Sequence, residues 1–278
     1  MMNILHRTVM ILDILTVQKT IKIAELLESL KISHVTLRKD LNVLEKRGIV
    51  KCTHGYASLD ETNSTGKRIA FNYLLKRKIA KIAAKTIENG ETVMVATGSC
   101  CALFAEELAL AKDNVTIITN STFIARFISD FPNIKIILLG GYFQQDSQVA
   151  IGPMTINCAQ HFHSDKYFLG TDGFIMDKGF TGRDHLQIET ALGLAKCAEN
   201  IFILAESEKF KRPGTCSLIQ LDIITGVFTD DGISKEAEAV LLKNNIELFK
   251  VPAKEEQIKQ RKFPEMPQDA GKEQPPFQ

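Results

Sequence analysis

The chain has 278 residues, 45% of them hydrophobic and 24% charged, with a formal net charge of +1. That is enough apolar material for a buried core, and the length suits one large domain with a small one, or two medium ones. No apolar run approaches the roughly 20 residues of a membrane-spanning helix, so no membrane partner and a cytoplasmic location are expected.

The opening stretch, Met1 to Val17, is apolar, but His6, Arg7 and Asp13 interrupt it and no small-residue cleavage site follows, so it reads as a helix rather than a signal peptide. Residues 1–59 hold nine Lys/Arg against five acids, which makes this end the place to look for a polyanion partner. Leu5, Val9 and Leu12, with Ile4, Ile11 and Leu15 beside them, predict a first amphipathic helix, and Ile23, Leu26, Leu27 and Leu30 a second. Lys31-Ile32 turns the chain into a third helix, capped by the hydroxyl of Ser33.

On that third helix Leu37, Leu41 and Leu44 fall at i, i+4 and i+7 and face a core. Thr36, Lys39, Asn42 and Lys46 then face outward, on a surface expected to carry hydrogen-bond donors and no aliphatic bulk. Two helices joined by a tight turn form a helix-turn-helix, whose second helix enters the DNA major groove. Periodicity alone leaves a protein-binding three-helix module equally open. Gly48 ends the helix, and residues 49–59 read as a two-stranded hairpin, which after a recognition helix is a wing. The candidate DNA contacts are Ser33, His34, Thr36, Arg38, Lys39, Asn42 and Lys46, with Lys51 and His54 near the wing tip.

Arg7, Ile11, Leu15, Ser33, Thr36, Leu37, Arg38, Lys39, Asp40 and Leu41 stand at the spacings of the helix-turn-helix signature of DeoR-type bacterial transcriptional regulators, which this end of the chain resembles. The resemblance implies double-stranded operator DNA as a partner. Where that family usually has His-Gly-Gly-Ala in the wing, this chain has His54-Gly55-Tyr56-Ala57, and the loss of a glycine predicts a wing turn of different geometry.

Ser58 to Lys67 is rich in Ser, Thr, Asn, Asp and Gly and marks a connection, giving a winged helix-turn-helix over 1–59, a linker over 60–73 and an α/β domain over 74–251. A helix is expected from residue 74 to about Gly90, with Lys76, Arg77, Lys78, Lys81 and Lys85 lining its outside. Seven β-rich runs follow, alternating with helical ones: 92–96, 115–119, 134–139, 166–170, 201–205, 223–229 and 246–251. Such alternation implies a mainly parallel sheet, whose ligands bind at the carboxyl ends of the strands.

The residues at those ends are small or polar. They give as candidate ligand contacts Thr97, Gly98, Ser99 and Cys100, then Asn120 and Ser121, Gly140 and Gly141, Asp172, and Lys209, with Arg183 and Asp184 nearby. Neither a Gly-x-x-x-x-Gly-Lys-[Ser/Thr] loop nor Gly-x-Gly-x-x-Gly occurs there, which disfavours nucleoside triphosphates and dinucleotides and leaves a small phosphorylated ligand. A helix N-terminus, Lys209 and Arg183 suit a phosphate; Asp172, Asn120 and Asp184 suit hydroxyls. Gly173 and Gly179 read better as turn residues.

Cys52, Cys100, Cys101, Cys158, Cys197 and Cys216 lack the paired spacing of a zinc site and the density of a disulfide scaffold, so neither metal nor cofactor is expected. The adjacent Cys100-Cys101 pair suits packing better than oxidant sensing.

Thr119-Asn120-Ser121, Leu139-Gly140-Gly141, Gly152, Phe168 to Gly173, Gly179-Phe180-Thr181, Ser207 to Phe210 and Thr229-Asp230 also resemble the effector domain of the DeoR-type family. That implies a fold related to ribose-5-phosphate isomerases and CoA transferases, and a phosphorylated sugar or its metabolite as effector. Two departures stand out: Ala96-Thr97-Gly98-Ser99-Cys100 replaces the usual Asp-Ser-Gly-Thr-Thr, and Glu206-Ser207-Glu208-Lys209 replaces Asp-Ser-Ser-Lys. The expected function is a repressor of a carbohydrate-use operon, not an enzyme, acting as a dimer or tetramer. The competing class is a phosphosugar isomerase with Asp172 or Glu206 as base and Lys209 steadying the enediolate. The charged, then proline-rich residues 252–278 are expected to form a disordered tail.

Overall fold

The computed structural model describes residues 3–253, so the expected tail, apart from Pro252 and Ala253, lies outside the described residues. Helix α1 (Ile4–Gln18) starts where the Asn3 side chain accepts from the His6 amide and buries Ile11, Leu12 and Leu15. A short strand β1 (Thr20–Lys22) leads into α2 (Ile23–Leu30), which ends where Lys31 turns left-handed at φ 52°. Helix α3 (His34–Lys46) follows, its first turn capped by Ser33 Oγ accepting from the Thr36 amide. Arg7 on α1 clamps Asp40 on α3 with two donated hydrogen bonds of 2.5 and 2.9 Å, fixing the angle between the helices.

Strands β2 (Val50–Thr53) and β3 (Tyr56–Leu59) form the wing hairpin. Its two turn residues, His54 at φ 50° and Gly55 at φ 81°, are both left-handed, as a two-residue turn matching the strand twist requires. Tyr56 is already extended in β3. Tyr56 thus needs no positive φ, and the turn is made by His54 and Gly55 alone. The wing is also wider than the hairpin predicted: β1 pairs with β3, Ile21 opposite Ala57, giving a three-stranded sheet.

The polar stretch after the wing holds a helix, α4 (Ser64–Ala70), capped by Asn63 and burying Thr65, Gly66 and Ile69. Helix α5 (Tyr73–Ala84) follows and is shorter than predicted. The chain then runs β4 (Thr92–Val95), α6 (Ser99–Ala111), β5 (Val115–Thr119), α7 (Thr122–Phe127), β6 (Ile134–Leu138), β7 (Tyr142–Gln144), β8 (Val149–Ile151), α8 (Pro153–Ala159), β9 (Ser164–Leu169), β10 (Gly173–Ile175), β11 (Gly179–Gly182), α9 (His185–Ala195), β12 (Ala198–Leu204), β13 (Cys216–Ile219), β14 (Gly226–Asp230), α10 (Lys235–Lys243) and β15 (Glu247–Val251).

Each of the seven β-rich runs contributes one strand to a seven-stranded parallel sheet, ordered β15-β14-β12-β9-β4-β5-β6. Alternate side chains enter two cores, as a sheet covered on both faces requires. Val93, Val95 and Phe168 face α5, α6 and α7, where Phe168 packs on Phe104 at 4.1 Å between ring centroids. Met94, Tyr167 and Leu169 face the opposite side, with α9, α10 and the small sheet β10-β11-β13. The first core continues into the N-terminal module through Leu37, Leu44, Ile49 and Ile69, so the two parts share buried apolar contacts.

The strand order reverses at the β4–β9 pair: from β4 the chain winds outward through β5 and β6, then returns to β9 and proceeds the other way. The helices that follow β4 and β9 leave to opposite faces, which opens a crevice at the carboxyl ends of these two strands.

Candidate functional site

The outer face of α3 is polar and basic. Ser33, His34, Arg38, Lys39, Asn42 and Lys46 are exposed, Leu37, Asp40, Leu41 and Leu44 are buried, and Thr36 is half-buried, its hydroxyl 2.9 Å from that of Ser33. Lys51 and His54 are exposed on the wing. One expectation fails: Val35 is 64% and Val43 40% exposed, so the face does carry aliphatic groups. Branched methyl groups among donors suit a major groove, where thymine presents its own methyl beside hydrogen-bonding edges.

A cleft with a cavity volume of about 100 Å³, open in part to solvent, lies at the switch point of the large sheet. Among the predicted ligand contacts, Thr97, Gly98, Ser99, Cys100, Asp172, Arg183, Asp184 and Lys209 line it. Gly98, at φ 144°, brings the chain from β4 into α6, with no side chain of the described residues capping the helix, and Ser99 and Cys100 at the start of α6 line the cleft. The Thr97 hydroxyl is buried there without a hydrogen-bond partner among the described residues. Burial pulls the Lys209 ammonium below its ordinary pKa; Asp172 and Glu206 oppose that shift, and the nearby Arg68 guanidinium adds to it. Burial pushes the Cys100 thiol up to about 12, which keeps it protonated and leaves it a packing group. Asp184 has a structural duty as well, accepting from the Gln187 amide at the start of α9 and from Gln144 Nε2.

Asn120, Ser121, Gly140 and Gly141 fall outside the cleft. They follow β5 and β6, on the far side of the switch point, where their groups hold chain to chain. The Asn120 amide donates to the Ala150 carbonyl, Ser121 caps α7, and a Cβ on Gly141 would lie 1.9 Å from Thr155 Oγ1.

Sequence reasoning missed one residue that lines the cleft and two that hold a cleft carboxylate, Glu206, from behind. Arg68 reaches the lining from α4, with Nη1 3.7 Å from Asp172 Oδ1. Lys76, expected on the outside of α5, is 3% exposed: its ammonium donates to the carbonyls of Arg68 and Phe71 and lies 3.4 Å from Glu206 Oε2. Asn72 donates to the other oxygen of the same carboxylate at 2.7 Å. Lys76 occupies the stripe of Tyr73, Ile79, Ala80 and Ala83, and that placement was a signal that a lysine's charge obscured. Among the described residues no helix is long and apolar enough to cross a membrane, and no cluster of His, Cys, Asp or Glu could hold a metal.

Known proteins share both parts. The DeoR-like helix-turn-helix domain matches residues 7–63 and the DeoR C terminal sensor domain residues 72–231. The HTH-type transcriptional regulator GolR of Listeria innocua is 31% identical over 81% of this chain and 90% of its own. The glycerol-3-phosphate regulon repressor of Escherichia coli K12 is 25% identical over 86% and 95%. A ribose 5-phosphate isomerase of Methanocaldococcus jannaschii superposes with a TM-score of 0.37 at 20% identity, covering 50% of this chain and 55% of its own. The basic helix-turn-helix and the α/β sensor domain, found together along one chain, make this protein a member of the DeoR family of DNA-binding transcriptional regulators.

Proposed function

We propose that this regulator represses a carbohydrate-utilisation operon in the cytoplasm and releases its operator when a phosphorylated sugar or related metabolite occupies the cleft at the sheet's switch point. The observation that carries the ligand class is the cleft's mixed lining. Uncapped amides of α6 and the ammonium of Lys209 suit a phosphate, while Asp172, Asp184 and the unpartnered Thr97 hydroxyl suit sugar hydroxyls. The name of the relative that represses a glycerol-3-phosphate regulon points the same way.

The outer face of α3 reads the operator, with Lys39, Lys46 and Arg38 on the helix and Lys51 on the wing supplying phosphate and base-edge contacts. One helix reads only a few base pairs. The active species is therefore a dimer or tetramer on half-sites spaced by whole turns of about 10 base pairs. Neutralising roughly six phosphates gives a log–log salt slope near −5.

Isothermal titration of the full chain with glycerol 3-phosphate, ribose 5-phosphate and hexose 6-phosphates tests the cleft assignment. One of them is expected to bind, and Lys209→Ala to weaken it by about tenfold, the equivalent of one charge-assisted contact. Binding that survives Lys209→Ala unchanged contradicts the assignment.

A further inference from the structure

The cleft and the recognition helix are joined by two short mechanical connections that meet at the same place. The first runs through α4. Gly66 on this helix packs so closely on the Gly48 carbonyl that an added Cβ would lie 1.9 Å from the oxygen, and Gly48 directly follows the last turn of α3. Two residues further along the same helix, Arg68 lines the cleft. The second connection runs along α6. Its first residues, Ser99 and Cys100, line the cleft, and Glu106, two turns later, takes the guanidinium of Arg47 at 2.5 Å. Arg47 is the C-cap of α3 and also lies over the Phe127 ring. Both routes end on Arg47-Gly48.

Neither end is saturated. The Arg68–Asp172 contact, at 3.7 Å, is long for a salt bridge, and among the described residues the other guanidinium nitrogens bond only the Ser64 carbonyl and the Thr65 hydroxyl of its own helix. Lys209 is close enough to Arg68 for their charges to repel, and an anion would draw these two cations of the lining together. At the far end, burial raises the pKa of Glu106, Arg47 and Arg77 pull it back, and Glu106 Oε2 is buried with no hydrogen-bond partner among the described residues. This pair has an incomplete set of contacts and so is sensitive to a small shift of α6.

We infer that Arg68 is an anion contact of the effector and that its helix, together with the Glu106–Arg47 pair on α6, carries occupancy of the cleft to the end of the recognition helix. A dianion offers the guanidinium a two-pronged partner that Asp172 at 3.7 Å does not. Drawing Arg68 inward moves α4, and the Gly66–Gly48 contact leaves no slack in which that movement could dissipate. Differential contacts in the occupied and empty states are what coupling requires. The inference rests on the cleft being the phosphorylated effector's site.

Inorganic phosphate, at constant ionic strength, serves as the probe for the full chain. Its binding is followed by calorimetry, and the effect on operator affinity by fluorescence anisotropy, with circular dichroism to check folding. The wild type is expected to bind phosphate and to lose operator affinity about fivefold at saturation, a typical coupling factor. Arg68→Gln should weaken phosphate binding about tenfold, with Arg68→Lys intermediate because it keeps charge without the fork. Glu106→Gln should bind phosphate within twofold of wild type yet lose the fivefold effect on DNA, a readout that a merely structural role would not move. Absence of phosphate binding in the wild type overturns the effector site and the inference together. Wild-type binding that Arg68→Gln leaves unchanged, or a DNA effect that survives Glu106→Gln, overturns the inference alone.

Discussion

Lys76 on α5 forms a buried ion pair with Glu206 of the cleft lining, Nζ to Oε2 3.4 Å, with 4% and 7% of the side chains exposed. The pair is held from both sides, by the Arg68 and Phe71 carbonyls on the lysine and by Asn72 on the carboxylate. It ties α5 to the loop after β12 that carries Lys209. Removing one member leaves the other charge buried without compensation. Lys76→Met is therefore expected to destabilise the fold by about 3–5 kcal/mol, read as a lower midpoint in urea, and the double variant Lys76→Met with Glu206→Gln to recover part of that loss. Equal loss in single and double variants would show that the pair is not the source.

The sheet was legible because its seven strands are continuous apolar runs between helical patterns, the pattern of strands buried on both faces. The wing hairpin was legible too, but the remaining six strands of the described residues were not, since each has only three or four residues and none carries a run long enough to show a period. Strand order was equally hidden. Asn120 and Asp172 look alike in sequence, each following a strand, and only the reversal at β4 and β9 decides which of them meets the cleft. Helix α4 escaped notice because it buries Thr65 and Gly66, residues whose composition suggests a loop.

On the recognition helix, Lys39→Ala is expected to weaken binding to operator and unrelated DNA alike and to reduce the salt slope by about 1, as loss of one phosphate contact does. Val35→Ser should behave differently: it should leave the slope unchanged and flatten the base preference at one position of each half-site. Titrations of operator and single-base variants at several salt concentrations separate the two. A Val35 variant with the wild-type base preference would place that side chain outside the groove.

Cys100, with its pKa pushed up to about 12 by burial, is expected to resist iodoacetamide at pH 8, where its thiolate fraction lies roughly three orders of magnitude below that of a free cysteine. The half-buried Cys52, Cys158, Cys197 and Cys216 should label first, as mass spectrometry of the alkylated peptides can read. The folded thiol keeps its proton to a higher pH than the unfolded one. Its contribution to stability is thus whole below the unfolded value of about 8.5 and declines as pH rises above it. Rapid labelling of Cys100 in the native protein would mean that the start of α6 opens.

Operator release by a phosphorylated sugar is tested most directly by fluorescence anisotropy of DNA from upstream of the gene, titrated with the full chain alone and then with glycerol 3-phosphate, ribose 5-phosphate and hexose 6-phosphates in turn. The expected result is tight, sequence-specific binding that one of these compounds weakens and the corresponding unphosphorylated sugar or polyol does not. Specific binding that none of them alters would contradict the assignment of the cleft.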